Sequence, residues 1–110
     1  MKKINIIKEK KDFDRAFKTR NQFSSRYTYI YLSDNNLDKY RFGICVSKKN
    51  GNAVTRNKIK RRIKDIIDKS KLQFVFKDYI IVVKKSIINA NYEELKEDLI
   101  NAFQKIIDRR

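Results

Sequence analysis

The run Tyr79-Ile80-Ile81-Val82-Val83 restricts the fold more than any other stretch. It is continuously apolar, and Lys84-Lys85 ends it. A membrane span needs roughly 20 apolar residues, and no run in the chain approaches that. A half-buried strand would alternate polar and apolar residues. A short unbroken run reads instead as a strand covered on both faces, in the middle of a sheet.

Helices to cover such a sheet are legible on either side of it. Ile59, Ile63, Ile66 and Ile67 fall at i, i+4, i+7 and i+8, one face of a helix. Thr55 is the expected N-cap, and the helix should run to about Lys69 or Ser70. Asn91 is expected to cap a last helix, with Glu94 three residues on as a capping-box acid. Leu95, Leu99, Ala102, Phe103 and Ile106 make its buried stripe. Acids at Glu93, Glu94, Glu97 and Asp98 and bases at Lys105, Arg109 and Arg110 suit its dipole. Near the start, Asp12 is the expected N-cap of a helix from about Phe13 to Arg20. Phe13, Ala16 and Phe17 share one face of it. Spacing alone leaves these phenylalanines either in the core or lining a groove for bases. Residues 1–10 read as a basic, irregular arm, and Asn21 to Arg26 as a polar loop.

Two more strands are expected. From Tyr27 to Leu32, tyrosines 27, 29 and 31 alternate with Thr28, Ile30 and Leu32. The tyrosine face is either half-buried structure or a stacking surface for RNA bases. From Tyr40 to Ser47, Phe42, Ile44 and Val46 point one way and the small Gly43, Cys45 and Ser47 the other. That small face either leaves room for a ligand, marks a bulge, or lies under a helix. The turn-rich segment Ser33–Lys39 suggests that these two strands form an antiparallel hairpin. The second strand, the isoleucine helix and the apolar strand read as a parallel βαβ unit. The expected fold class is α+β: a small sandwich of helices on a mainly antiparallel sheet, in one domain spanning residues 1–110. The order is helix, strand, strand, helix, strand, helix, with room for a further short strand in the hairpin region.

Charge narrows the function. The chain has 28 Lys and Arg against 13 Asp and Glu, a net charge of +15 that points to a polyanionic partner. Six of the nine residues from Arg56 to Lys64 are basic, and no acid occurs between Tyr40 and Lys64. Asn57, Lys60, Arg61 and Lys64 form one polar stripe beside the isoleucines, with Arg56 at its edge. A merely solvated helix face normally mixes signs; here like-charge repulsion has no internal compensation. With no His and a single Cys, zinc sites, disulfides and His-based catalysis are excluded by inventory. Gly51 lacks the companion glycine and Lys-Ser/Thr of a Walker phosphate loop. No catalytic or metal-binding residues are expected on the protein. Lysines and arginines suit phosphates, and Asn52 and Asn57 suit sugars, bases or a hydrated metal ion. With the nearby aromatics, this mixture favours RNA over duplex DNA or a membrane. The chain carries no signal-peptide core, which suggests a cytoplasmic protein.

One long stretch makes the expectation sharper. Phe42-Gly43-Ile44-Cys45-Val46-Ser47-Lys48-Lys49, then Gly51-Asn52-Ala53-Val54-x-Arg56-Asn57-x-x-Lys60-Arg61, closely resembles the signature of the bacterial ribonuclease P protein component. The segment from Arg56-Asn57 to Arg61 looks like that family's "RNR" helix. Phe13 and Phe17, Tyr31 and Asp78-Tyr79-Ile80 also sit where the family has similar residues, and the chain length agrees. The resemblance implies an αβββαβα order with a left-handed βαβ crossover, where the general rule gives a right-handed one. It implies a catalytic RNA subunit as partner and precursor tRNA as substrate, whose 5′ leader is removed hydrolytically. The RNA would do the chemistry with Mg2+ held mainly by that RNA. By position, Phe13, Phe17, Tyr31, Cys45 and Ser47 would line a leader-binding cleft. Lys48, Lys49, Asn52, Arg56, Asn57, Lys60, Arg61 and Lys64 would form the RNA-facing edge. Lys64 stands where arginine is common, keeping the charge but losing the bidentate fork. The basic C-terminal tail is short, which bears on substrate contacts. The alternative is a ribosomal or RNA-chaperone-type module with no role in cleavage.

Overall fold

The computed structural model describes residues 1–109. Arg110, one of the bases expected to end the last helix, lies outside the described residues. The elements are α1 (Lys10–Lys18), β1 (Gln22–Ser24), β2 (Thr28–Asp34), β3 (Arg41–Cys45), α2 (Ala53–Ser70), β4 (Lys77–Val83) and α3 (Tyr92–Asp108). This is the αβββαβα order. Short 3-10 helices lie at Lys3–Asn5, Lys48–Asn50 and Lys85–Asn89.

The four strands form one sheet in the order β1-β2-β4-β3. The apolar run of β4 sits inside the sheet, and Tyr79, Ile80 and Ile81 are fully buried. One face packs against α2 and α3. There Ile30, Leu32, Phe42, Tyr79, Ile81 and Val83 meet the α2 isoleucines and Leu95, Leu99, Phe103 and Ile106 of α3. Phe42, Phe74, Tyr79 and Phe103 form an aromatic cluster at its centre, with ring centroids 4.9–6.2 Å apart. On the other face a smaller cluster of Ile7, Ala16 and Ile80 holds α1, with Phe13, Tyr31, Cys45 and Val82 packed around it.

The expected hairpin between the second and third strands does not form. β4 inserts between them, antiparallel to β2 and parallel to β3. Chain adjacency is a weak rule beside the need to place the most apolar strand centrally. The expected parallel βαβ unit, β3-α2-β4, is present. The hairpin partner of β2 is instead β1, whose Gln22-Phe23-Ser24 lies in the expected polar loop. Tyr27 precedes β2 and is buried with the α2/α3 core, apart from Tyr29 and Tyr31.

Three local expectations are also corrected. The α2 N-cap is Asn52, whose Oδ1 accepts from Thr55 N at 2.9 Å. Gly51, at φ 121°, makes the turn into it, a conformation that favours glycine. Helix α1 starts at Lys10 with Glu9 at its N-cap position, and Asp12 is a buried first-turn residue. The N-terminal segment is docked along the sheet: Ile6 bridges Phe42 in parallel, and Ile7 N donates to Phe42 O at 2.9 Å. The capping box of α3 is as expected: Asn91 Oδ1 accepts from Glu94 N, and Glu94 Oε1 from Asn91 N. Tyr92, in the first turn of α3, donates from its hydroxyl to Asp65 Oδ2 on α2 at 2.6 Å, and this bond holds the Asp65 carboxyl below its usual range.

Candidate RNA-binding surfaces

What fixes α1 over the sheet is a buried ionic network. Arg41 on β3 donates from Nε to Asp78 Oδ1 at 2.8 Å and from Nη2 to Asp78 Oδ2 at 2.7 Å. Asn35 Nδ2 adds a third bond to Asp78 at 3.0 Å. Arg41 Nη1 also reaches Asp12 Oδ2 of α1 at 3.5 Å, and Arg15 holds the other Asp12 oxygen at 2.6 Å. Both carboxylates are buried. The hydrogen bonding to Asp78 is the largest of the influences that push the Arg41 guanidinium above its ordinary pKa, and burial opposes it.

Gly43 sets how closely α1 approaches. A Cβ there would lie 2.6 Å from Phe13 Cε1 and 2.8 Å from its Cζ. The small face of β3 is therefore, at Gly43, the seat of the Phe13 ring. Of the two phenylalanines Phe13 is the packed one, half-buried against the α1 cluster. Phe17 is 43% exposed, and its ring meets Tyr31 edge to face at 5.1 Å.

The sheet register defines what lies beside them. Gln22, Tyr31, Ile80 and Gly43 form one row across the four strands, and Ser24, Tyr29, Val82 and Cys45 the parallel row. Phe13 and Phe17 touch the first row, at Gly43 and Tyr31. In the second row Tyr29 is exposed, and Val82 and Cys45 are half-buried. Ser47 is exposed just past the end of β3. The structure thus gathers Phe13, Phe17, Tyr31 and Cys45 at one face, with Ser47 at its margin. Tyr29, Val82 and Lys84 belong to the same face and were not among the expected cleft residues. The i, i+2 spacing of Tyr29 and Tyr31 is the sequence signal for the first; the sequence has none for Lys84, which reads only as a strand stop.

Burial pushes the Cys45 thiol up, and the charge of Lys60 partly offsets this. We expect Cys45 to be protonated at neutral pH and alkylated slowly. The midpoint of its pH–rate profile with iodoacetamide should lie above that of the unfolded chain. A midpoint at or below the unfolded value would contradict the burial.

The second surface is the exposed side of α2. Asn57, Lys60, Arg61 and Lys64 line one shallow depression together with Val54, which is 74% exposed. This is the stripe expected from the helical wheel. Lys48 and Lys49 are exposed in the 3-10 turn preceding α2. Arg56 is half-buried, and its Nε is buried without a hydrogen-bond partner. Asn52 has its side-chain oxygen engaged in the cap, so its amide nitrogen is the group directed to other uses. Among the described residues no group of three His, Cys, Asp or Glu is placed to hold a metal ion. No described helix is long and apolar enough to cross a membrane.

Comparison with known proteins places this architecture. The ribonuclease P family model matches residues 1–107. The ribonuclease P protein component of Streptococcus pneumoniae serotype 4 is 38% identical over 105 residues, covering 94% of this chain and 85% of that protein. A mutant RNase P protein of Staphylococcus aureus superposes with a TM-score of 0.88 at 32% identity, covering 94% of this chain and 89% of the other. The RNase P protein of Thermotoga maritima shares the fold, with a TM-score of 0.82 at 24% identity over 90% of this chain and 94% of its own. The chain belongs to the ribonuclease P protein family, the protein component of an RNA-dependent endoribonuclease that matures tRNA 5′ ends.

Proposed function

We propose that the whole chain acts as one RNA-binding domain with two surfaces, one for the ribonuclease P RNA and one for the 5′ leader of precursor tRNA. The observation that carries this reading is the separation of the acid-free α2 stripe from an open aromatic sheet face beside α1. Lys48, Lys49, Asn52, Arg56, Asn57, Lys60, Arg61 and Lys64 would meet RNA phosphates, sugars and bases. Arg56 supports this, since a buried unpaired donor costs on the order of 1–3 kcal/mol and a phosphate oxygen would satisfy it. Phe13, Phe17, Tyr31, Cys45 and Ser47 would line the leader cleft, Phe17 and Tyr31 by stacking and Phe13 by seating α1. Hydrolysis would be carried by the RNA with Mg2+. The protein's part would then be binding and positioning. The setting is the bacterial cytoplasm, where precursor tRNA is made.

Phe17→Ala is the direct test of the cleft. It should weaken binding of leader-bearing precursor tRNA by roughly tenfold, the scale of one lost stacked base, while leaving mature tRNA binding unchanged. Equal losses for both RNAs would mean that Phe17 serves only to pack α1.

A further inference from the structure

Tyr29 is a large aromatic on an inner strand, yet it is 37% exposed. Its strand neighbours Thr28 and Ile30 are fully buried on the opposite face, so the core does not use the Tyr29 ring. The ring is nonetheless held. Lys84 Nζ sits 4.4 Å from its centroid. The same ammonium donates to Ser24 Oγ at 2.8 Å and to the Ser25 carbonyl. Three partners, on β1, on β2 and in the turn between them, thus fix one cation against one ring, although Lys84 is only half-buried. Such an arrangement orients an aromatic face before any ligand arrives.

Spacing relates this ring to the Phe17–Tyr31 pair. Tyr29 and Tyr31 are two residues apart on β2 and share a face, so their Cα atoms lie about 6.7 Å apart. That suits two successive unstacked bases of an extended RNA strand, as on other sheets that present aromatics to single strands. Charge for a flanking phosphate is supplied by Lys84 at the β1 end of the row.

We infer that Tyr29, held by Lys84, is a second base-stacking station of the cleft, adjacent to Phe17–Tyr31, and selects for a purine at one leader position. This rests on the reading that the cleft takes the leader. Stacking is sequence-tolerant, but the larger purine ring gains more from it.

The test uses the complete ribonucleoprotein and precursor tRNAs whose leaders lengthen one nucleotide at a time. With wild-type protein, affinity should rise in steps, and Phe17→Ala should remove one step. Tyr29→Leu should remove the step next to it, costing about tenfold for a purine there and less for a pyrimidine. Tyr29→Phe should keep the step. A photoreactive nucleotide at that leader position should crosslink to the peptide containing Tyr29, a readout independent of the leucine variant's folding. If wild-type affinity ignores leader length, the reading of the cleft fails. If wild-type affinity rises in steps that Tyr29→Leu leaves intact, or if that variant weakens mature tRNA binding equally, the second station is overturned and the cleft stands. Crosslinks that avoid the Tyr29 peptide would also overturn it.

Discussion

Asp78→Ala will lower the unfolding free energy by about 3–5 kcal/mol, the scale of a buried ion pair deprived of one partner. Asp78 is fully buried and receives three hydrogen bonds, two from Arg41 and one from Asn35. Removing the carboxylate leaves the Arg41 guanidinium, whose side chain is 16% exposed, without its main partner. For a chain of this length such a loss lowers the melting temperature by roughly 10–20 °C. The same network ties Asp12 of α1 to β3, so leader-specific binding should fall with stability. Replacing Arg41 and Asp78 together by apolar residues should restore much of the stability, because the penalty comes from an unpaired charge. Thermal and urea unfolding of the single and double variants measure this directly. A loss under about 1 kcal/mol for Asp78→Ala, a surface-pair value, would contradict an anchoring role.

The second large effect concerns α2. Neutralising Arg56, Lys60, Arg61 and Lys64 together should make the log–log salt dependence of binding to ribonuclease P RNA shallower by about three, near 0.7–0.9 for each phosphate that no longer meets a cation. The fold should persist, because the buried face of this helix is Ile59, Ile63, Ile66 and Ile67. Arg61 alone should account for about one unit of that slope. A slope that stays unchanged while the quadruple variant remains folded would remove this stripe from the interface.

Much of this architecture is written locally in the chain. The α2 isoleucines, the Asn91–Glu94 box and the unbroken β4 run each carry a short-range period or spacing, and each lies in the structure where that spacing puts it. The polar stripe of α2 is legible for the same reason, since it is the complement of the isoleucine face. Strand order is not legible. The pairing of β2 with β4 joins residues about fifty positions apart, whereas adjacency points to β3. β1 is hidden because Gln22-Phe23-Ser24 is too short and polar to show alternation. Asp12 carries the same local signal whether it caps a helix or binds Arg41, and only the distant arginine decides. Asn52 and Thr55 are both good caps, and the positive φ of Gly51 places the helix start at the first. Phe13 and Phe17 look alike in sequence. The absence of a side chain at Gly43, across the sheet, separates the packed ring from the exposed one.

Cleavage of precursor tRNA by ribonuclease P RNA at low Mg2+, with and without this protein, tests the central claim most directly. The expected result is faster cleavage at subsaturating substrate with the protein present, with the gain confined to leader-bearing substrates that keep an extended 5′ segment. Cleavage and substrate affinity no better than with the RNA alone would contradict the account.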